Sequence, residues 1–234
     1  MMLEVIATSV TDARLAQAGG ADRIELISGI REGGVTPSIG LIRQVLAAVT
    51  IPVHVMVRPH ANTFCYDEDD KLTILADIRE IRELGAAGIV FGALTPDRRV
   101  DEEVLKRVLA VSGGLSVTFH RAFDEAADLT ASLRLLGQYP QIRRVLTSGG
   151  QSSVLDAVET IRQLDRLGRE LSITLLAGSG LNTASLASFL RETGVSEVHM
   201  GTGVRRGSDP LQTVDPDKVR AAADIVAAES ARRS

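Results

Sequence analysis

Short apolar runs alternate with longer amphipathic stretches along the whole chain. The β-like runs fall at residues 3–7, 23–27, 53–57, 88–91, 116–119, 144–147, 173–177 and 197–200. Most are rich in Val, Ile, Leu and Phe and short, as strands buried on both faces are. Helical patterns lie between and after them, near 11–18, 38–48, 69–84, 101–111, 127–136, 152–167, 183–192 and 215–228. The clearest is 69–84, where Ile74, Leu75, Ile78 and Ile81 make one apolar stripe.

A repeated phrase punctuates this alternation: a helical stretch, a glycine, a small residue, then a β-rich run. It occurs at 16–26 (AQAGGADRIEL), 82–92 (RELGAAGIVFG) and 191–201 (RETGVSEVHMG). Glycine just past a helix takes the left-handed conformation that satisfies the last carbonyls, and the chain then enters a strand. Eight βα units in 234 residues average about 29 each, close to the ~30 that a βαβ unit needs. An open doubly wound sheet usually has fewer strands. The pattern therefore predicts an α/β fold, a single (β/α)8 TIM barrel spanning 1–234, with no Pro/Ser-rich linker to divide it.

Composition narrows the function. At 44% hydrophobic and 24% charged, the chain has material for a sizeable core, which excludes wholesale disorder. A net charge of −4 offers no basic surface for nucleic acid or anionic lipid. Cys65 is the single cysteine, so an intramolecular disulfide and Cys-rich zinc or iron–sulfur motifs are excluded. The opening MMLEVIATSV carries Glu4 and no basic residue, unlike a signal peptide. No apolar run approaches the ~18 residues of a membrane span. The expectation is a soluble cytoplasmic protein whose partner is a small molecule.

In TIM barrels the site lies at the C-terminal strand ends. Strand parity places Glu4, Glu25, His54, Arg58, His120 and His199 inward, where apolar layers would suffice. Buried charges cost several kcal/mol unless paired. The set is either a structural polar core or a site, and histidines and an arginine at strand ends favour a site. The loop at 58–70 carries Arg58, His60, Phe64, Cys65 and Tyr66, and that at 120–126 carries Arg121, Phe123 and Asp124. Their aromatic residues either pack the loops or form an apolar mouth.

Glycine-rich turns follow the last three predicted strands: SGG (148–150), AGSGLN (177–182) and GTG (201–203). Such turns beside a helix start can hold a phosphate on backbone N–H groups, or can simply be tight turns. The phosphate reading assigns Ser148, Gly149, Gly178, Gly180, Gly201 and Thr202 to the anion, with Arg58 and Arg121 offsetting its charge. Lys71, Lys106 and Lys218 all fall on helical stretches, so no strand offers a Schiff-base lysine. What remains is acid–base or metal chemistry, with Glu25, His54 and His120 as proton-transfer candidates. Soft metal ligands are few: Cys65, with Met56 and Met200 in or beside strands. The histidines would suit Zn, Fe or Cu(II), but none has ligand spacing within one element.

The motifs VHVMVRP (53–59), FCY (64–66), VFGALTPD (90–97), TFHRAFD (118–124) and LTSGG (146–150) make the chain resemble the CutC family of copper homeostasis proteins. LEV (3–5), AGGADRIEL (18–26), EGGVTPSIG (32–40) and EVHMG (197–201) extend the likeness, which loosens after about residue 204. The resemblance implies a TIM-type barrel, a cytoplasmic location, a homo-oligomer and copper handling. The family often has cysteine, as a proposed Cu(I) ligand, where this chain has Ile6 and Ile27. Isoleucine supplies no ligand, which leaves Cys65 and His199 as metal candidates and no other cofactor implied. Three readings follow: a copper-homeostasis protein, a barrel enzyme using His/Glu chemistry on a small phosphorylated metabolite, and a silent scaffold. Ile6 and Ile27 speak against the first, and the inward polar cluster against the third.

Overall fold

The computed structural model describes residues 1–233. Its strands are β1 (Met2–Ala7), β2 (Arg23–Leu26), β3 (Val53–Met56), β4 (Gly88–Phe91), β5 (Ser116–Phe119), β6 (Ile142–Thr147), β7 (Thr174–Gly178) and β8 (Glu197–Met200). They close in sequence order into one parallel barrel, β8 pairing with β1 through Glu4 beside His199. The predicted (β/α)8 barrel is thus the fold.

Eight α-helices wrap it: α1 (Val10–Gly19), α2 (Ile39–Ala48), α3 (Glu68–Glu83), α4 (Glu102–Ser112), α5 (Leu129–Leu136), α6 (Val158–Glu170), α7 (Thr183–Thr193) and α8 (Pro216–Ala231). Most start on a short polar residue that accepts a hydrogen bond from the first turn. Ser9, Ser38, Asp67, Asp101, Asp128, Asn182 and Asp215 all do so. Helix α6 starts later than the pattern predicts. Ser153 caps a 3-10 turn over 154–157 first, and the α-helix begins only beyond it.

The principal core lies between strands and helices, where Ile24, Leu26, Phe91, Phe119 and Val145 meet the buried stripes of the helices. The Ile74, Leu75, Ile78 and Ile81 stripe of α3 is buried there as predicted. After β8 two short 3-10 turns lead to α8. This segment is tied back to the start of the chain: buried Arg205 donates to Asp12 Oδ2 at 3.1 Å and to the Ile6 carbonyl at 3.3 Å. Among the described residues no helix is long and apolar enough to cross a membrane.

Candidate functional site at the barrel mouth

Inside the barrel, charge is stacked in layers. Near the strand starts, Arg23 donates Nε to Glu4 Oε2 at 2.5 Å and Nη2 to Glu197 Oε2 at 2.6 Å. Arg144 donates Nε to the same Glu197 oxygen at 2.7 Å and Nη1 to Ser116 Oγ at 3.0 Å. Sequence parity could have found two of these, because Arg23 shares a face with Glu25 and Glu197 with His199. They were missed as strand-start residues.

One step toward the mouth, His199 donates Nδ1–H to Glu4 Oε1 at 2.7 Å, and its Nε2 faces Glu25 Oε2 at 3.8 Å. Burial acts to raise the Glu4 carboxyl, but the Arg23 charge and the His199 hydrogen bond outweigh it and hold Glu4 well below the usual carboxylate range. Burial opposes charging His199 too, yet the facing Glu25 and Glu4 carboxylates raise its pKa. Glu25 is pushed up to about 7, first by burial and then by the nearby Glu4 charge, against the pull of His199 and Arg23. A carboxyl with that value is half-ionised near neutrality and can both take and return a proton. Its Oε1 is buried without a hydrogen-bond partner.

Glu25 and His199 line a cavity of about 660 Å³ at the C-terminal strand ends. Part of its wall is apolar, formed by Ile6, Ile27, Ile30 and Met56. Arg58 and His120 face it with Phe64, whose ring lies 4.5 Å under the Arg58 guanidinium and 5.0 Å from the His120 ring. Arg58 is held by the carbonyls of Glu32, Gly34 and Ala61. Those hydrogen bonds fix the cation without neutralising it.

Histidine 120 is buried, and burial followed by the Arg58 charge lowers its pKa to about 3, so its imidazole is neutral. Its Nδ1 accepts the Ala122 N–H at 3.1 Å, which assigns the proton to Nε2, an atom buried without a partner. His54 is also kept neutral, at about 3, by burial and the charges of Arg23 and Arg144. It does not line the cavity but packs beside Gly88, where an added Cβ would lie 2.8 Å from its Nε2. Of the proton-transfer candidates, Glu25 and His120 therefore face the mouth and His54 lies apart from it.

The SGG turn differs from the phosphate expectation. Asp124 already fills it, accepting from the amides of Ser148 at 3.0 Å and Gly150 at 3.0 Å and from the Thr147 hydroxyl at 2.5 Å. The Gly149 amide donates to Thr147 Oγ1 at 2.8 Å. A carboxylate of the chain thus takes the place an external anion would need, and neither Ser148 nor Gly149 lines the cavity. Arg121 reaches the rim but is paired with Asp124 at 2.8 Å. Gly178 ends β7 beside His199 and is not part of the lining either.

Gly180, Gly201 and Thr202 do line the cavity, together with Leu181 and Gly203. The amides of Gly180, Leu181, Thr202 and Gly203 donate to no protein acceptor among the described residues. The start of α7 contributes less than expected, since Asn182 Oδ1 already takes the Ala184 and Ser185 amides at 3.0 and 3.1 Å. The glycines are also needed for packing. A Cβ on Gly201 would lie 2.7 Å from Ile6 Cδ1, and one on Gly203 would lie 2.1 Å from the Leu181 carbonyl oxygen.

A family model described as the CutC family matches residues 1–204. The chain belongs to the CutC family. A CutC family protein from Klebsiella pneumoniae (strain 342) is 43% identical over 208 residues, covering 89% of this chain and 83% of that protein. The solved putative copper homeostasis protein CutC from Streptococcus agalactiae superposes with a TM-score of 0.78 at 29% identity, over 85% of this chain and 98% of its own. The N-(5'-phosphoribosyl)anthranilate isomerase of Pyrococcus furiosus gives 0.63 at 13% identity over 97% of this chain and 99% of that one, a likeness of fold alone.

Copper can be tested against these residues. Among the described residues, Glu4, Glu25 and His199 bring ligand atoms within 4.8 Å of one another. Two carboxylates and one imidazole are hard or borderline donors, whereas Cu(I) selects thiolates and thioethers. Both Glu4 oxygens are taken, by Arg23 and His199, and the Arg23 cation repels a metal there. Cys65, half-buried in the loop after β3, is not part of the cavity lining. The two metal candidates of the CutC reading, Cys65 and His199, are not brought together in this cavity; its soft donor is the Met56 thioether, and with no thiolate in the lining the set does not make a strong Cu(I) site.

Proposed function

We propose that this CutC family member binds a small anionic metabolite, of the size of a sugar phosphate, at the barrel mouth and moves a proton on it. The observation that carries this reading is Glu25: a carboxyl with an unpartnered oxygen, in a cavity, poised near neutrality. Perturbed carboxyls of this kind concentrate at functional sites. Arg58, which no carboxylate among the described residues neutralises, and the amides of Gly180, Leu181, Thr202 and Gly203, without acceptors among those residues, are the donors this cavity offers an anion. Millimolar inorganic phosphate or ribose 5-phosphate should raise the melting temperature, and Arg58→Met should reduce that rise. No shift with any phosphorylated compound would overturn the reading.

A second reading, a part in copper homeostasis, is supported by family membership and by the name of the streptococcal relative. In that case copper is handled without a tight Cu(I) centre at this cavity. Copper sensitivity of a deletion strain, complemented by the wild type but not by Glu25→Gln, would join the two readings. Complementation by Glu25→Gln would separate them. The family resemblance also supports a cytoplasmic homo-oligomer, which light scattering of the purified protein tests.

A further inference from the structure

From the positions of Glu25, His120 and Arg58 around one cavity, we infer that the substrate is a phosphorylated α-hydroxycarbonyl compound and that the reaction is enolisation next to its carbonyl group. This rests on the acid–base reading above and names its substrate class. A base alone would fit many reactions. The deciding partner is His120.

An imidazole that accepts a backbone N–H at Nδ1 is a fixed tautomer, and its Nε2–H can only donate. That N–H is buried with no acceptor among the described residues, although an unpaired buried donor is normally destabilising. Its ring is clamped by Phe64 on one side, and Arg58 beside it disfavours imidazolium. His120 lines the cavity, and a neutral, immobile donor in the wall suits an oxygen that gains charge during reaction. A protonated histidine would instead pair with a charge already present in the ground state.

The electron movements balance within the chain and substrate. Glu25 Oε1 takes the proton from the carbon next to the carbonyl. The C–H electron pair becomes the carbon–carbon double bond, and the carbonyl π pair moves onto oxygen, where His120 Nε2–H stabilises it. Reprotonation of the same carbon from Glu25 restores the carbonyl compound and the carboxylate. The His199 ring behind Glu25, anchored by Glu4 and with its pKa raised by the two carboxylates against burial, pulls the Glu25 carboxyl toward its ionised form. Phosphate at the free amides of the β7 and β8 loops holds the other end of the substrate.

The test follows the α-hydrogen in heavy water. Wild-type protein is mixed with dihydroxyacetone phosphate, glyceraldehyde 3-phosphate, ribose 5-phosphate or ribulose 5-phosphate, and deuterium incorporation is read by mass spectrometry. Binding is read separately by thermal shift. At least one compound that stabilises the protein should acquire deuterium at the carbon next to its carbonyl, and Glu25→Gln should abolish this. His120→Asn keeps an acceptor for the Ala122 amide but loses the donor at the Nε2 position. It should bind as wild type and exchange ~100-fold more slowly. His120→Gln, which returns an amide N–H to that position, should recover most of the rate.

Compounds that bind without exchange, or His120→Asn exchanging at the wild-type rate, would overturn the inference and leave the anion site standing. Absence of binding by all four compounds and by inorganic phosphate would remove the site itself, and the inference with it. Should His120→Asn fail to fold, nitrogen-15 histidine spectra of the wild type decide. A neutral Nε2–H tautomer whose Nε2 signal moves when an exchanging compound binds supports the assignment, and a signal indifferent to that compound contradicts it.

Discussion

The His199 ring is fixed by Glu4, whose Oε1 lies 2.7 Å from Nδ1 across the seam where β8 closes on β1. The bond joins the ionic layer beneath the barrel to the carboxyl that faces the mouth. Structure and chemistry meet in this pair, so disturbing it has consequences in both.

Replacing the carboxylate makes the structural half visible. Glu4→Gln leaves Arg23 and His199 buried with their main counter-charge gone. Breaking a buried pair by removing one partner costs about 3–5 kcal/mol. Urea denaturation of the variant should show a loss of that size. A change below about 1 kcal/mol would mean that the layer is solvated.

The pH dependence of stability follows from the direction of each shift. Glu25 rises from 4.5 to about 7 on folding, so its contribution is fully present below pH 4.5 and is lost as pH rises through 7. His199, also raised, runs the same way. His54 and His120 fall from 6.5 to about 3, so stability is lost as pH drops from 6.5 toward 3. The profile should therefore have two limbs. Glu25→Gln should remove the fall in stability between pH 4.5 and 7, up to about 3 kcal/mol, as measured by denaturant titration at several pH values. It should also steepen the loss on acidification over the part of that range it shares with His54 and His120.

Copper affinity is predicted to be low. Titration against a competing Cu(I) chelator should reveal no stoichiometric high-affinity site, because the cavity gathers carboxylates, imidazole and a single thioether, Met56, and Cys65 lies outside its lining. A tight 1:1 complex abolished by Cys65→Ser would prove this wrong.

The Asp124 turn supplies a fourth test. Asp124→Ala removes the acceptor for the Ser148 and Gly150 amides and the Thr147 hydroxyl. Hydrogen bonds to a charged group contribute roughly 1.5–3 kcal/mol each, with losses that overlap in a shared turn. Stability should fall by at least ~2 kcal/mol, and hydrogen exchange of those amides should accelerate. Unchanged protection of the Gly150 amide would contradict the turn geometry.

Much of the barrel is legible in the chain because its strands are buried on both faces and its helices begin on capping residues, features that depend on neighbours in sequence. Glu25, His120 and His199 were legible by strand parity for the same reason. What could not be read is long-range. Asp124 fills the SGG turn from another βα loop, so no local pattern announces that the turn is already occupied. Gly201 and Gly203 look like an anion-binding pair, yet both are also required by contacts with Ile6 and the Leu181 carbonyl. Arg23 and Glu197 share the parity of Glu25 and His199 and could have been read with them; that they join Arg144 in one ionic layer depends on barrel closure, which no local pattern announces.

Arg205 lies just past the barrel's last strand but belongs to its structure. The family match ends at residue 204, immediately before it. Yet its guanidinium neutralises Asp12, a carboxylate buried at the start of α1, and holds the Ile6 carbonyl at the edge of the cavity. A fragment cut at residue 204 would keep the family motifs and leave buried Asp12 without its cation. The segment after β8 is thus part of the barrel wall, because its buried cation braces both the start of α1 and the strand β1 carbonyl at the cavity edge.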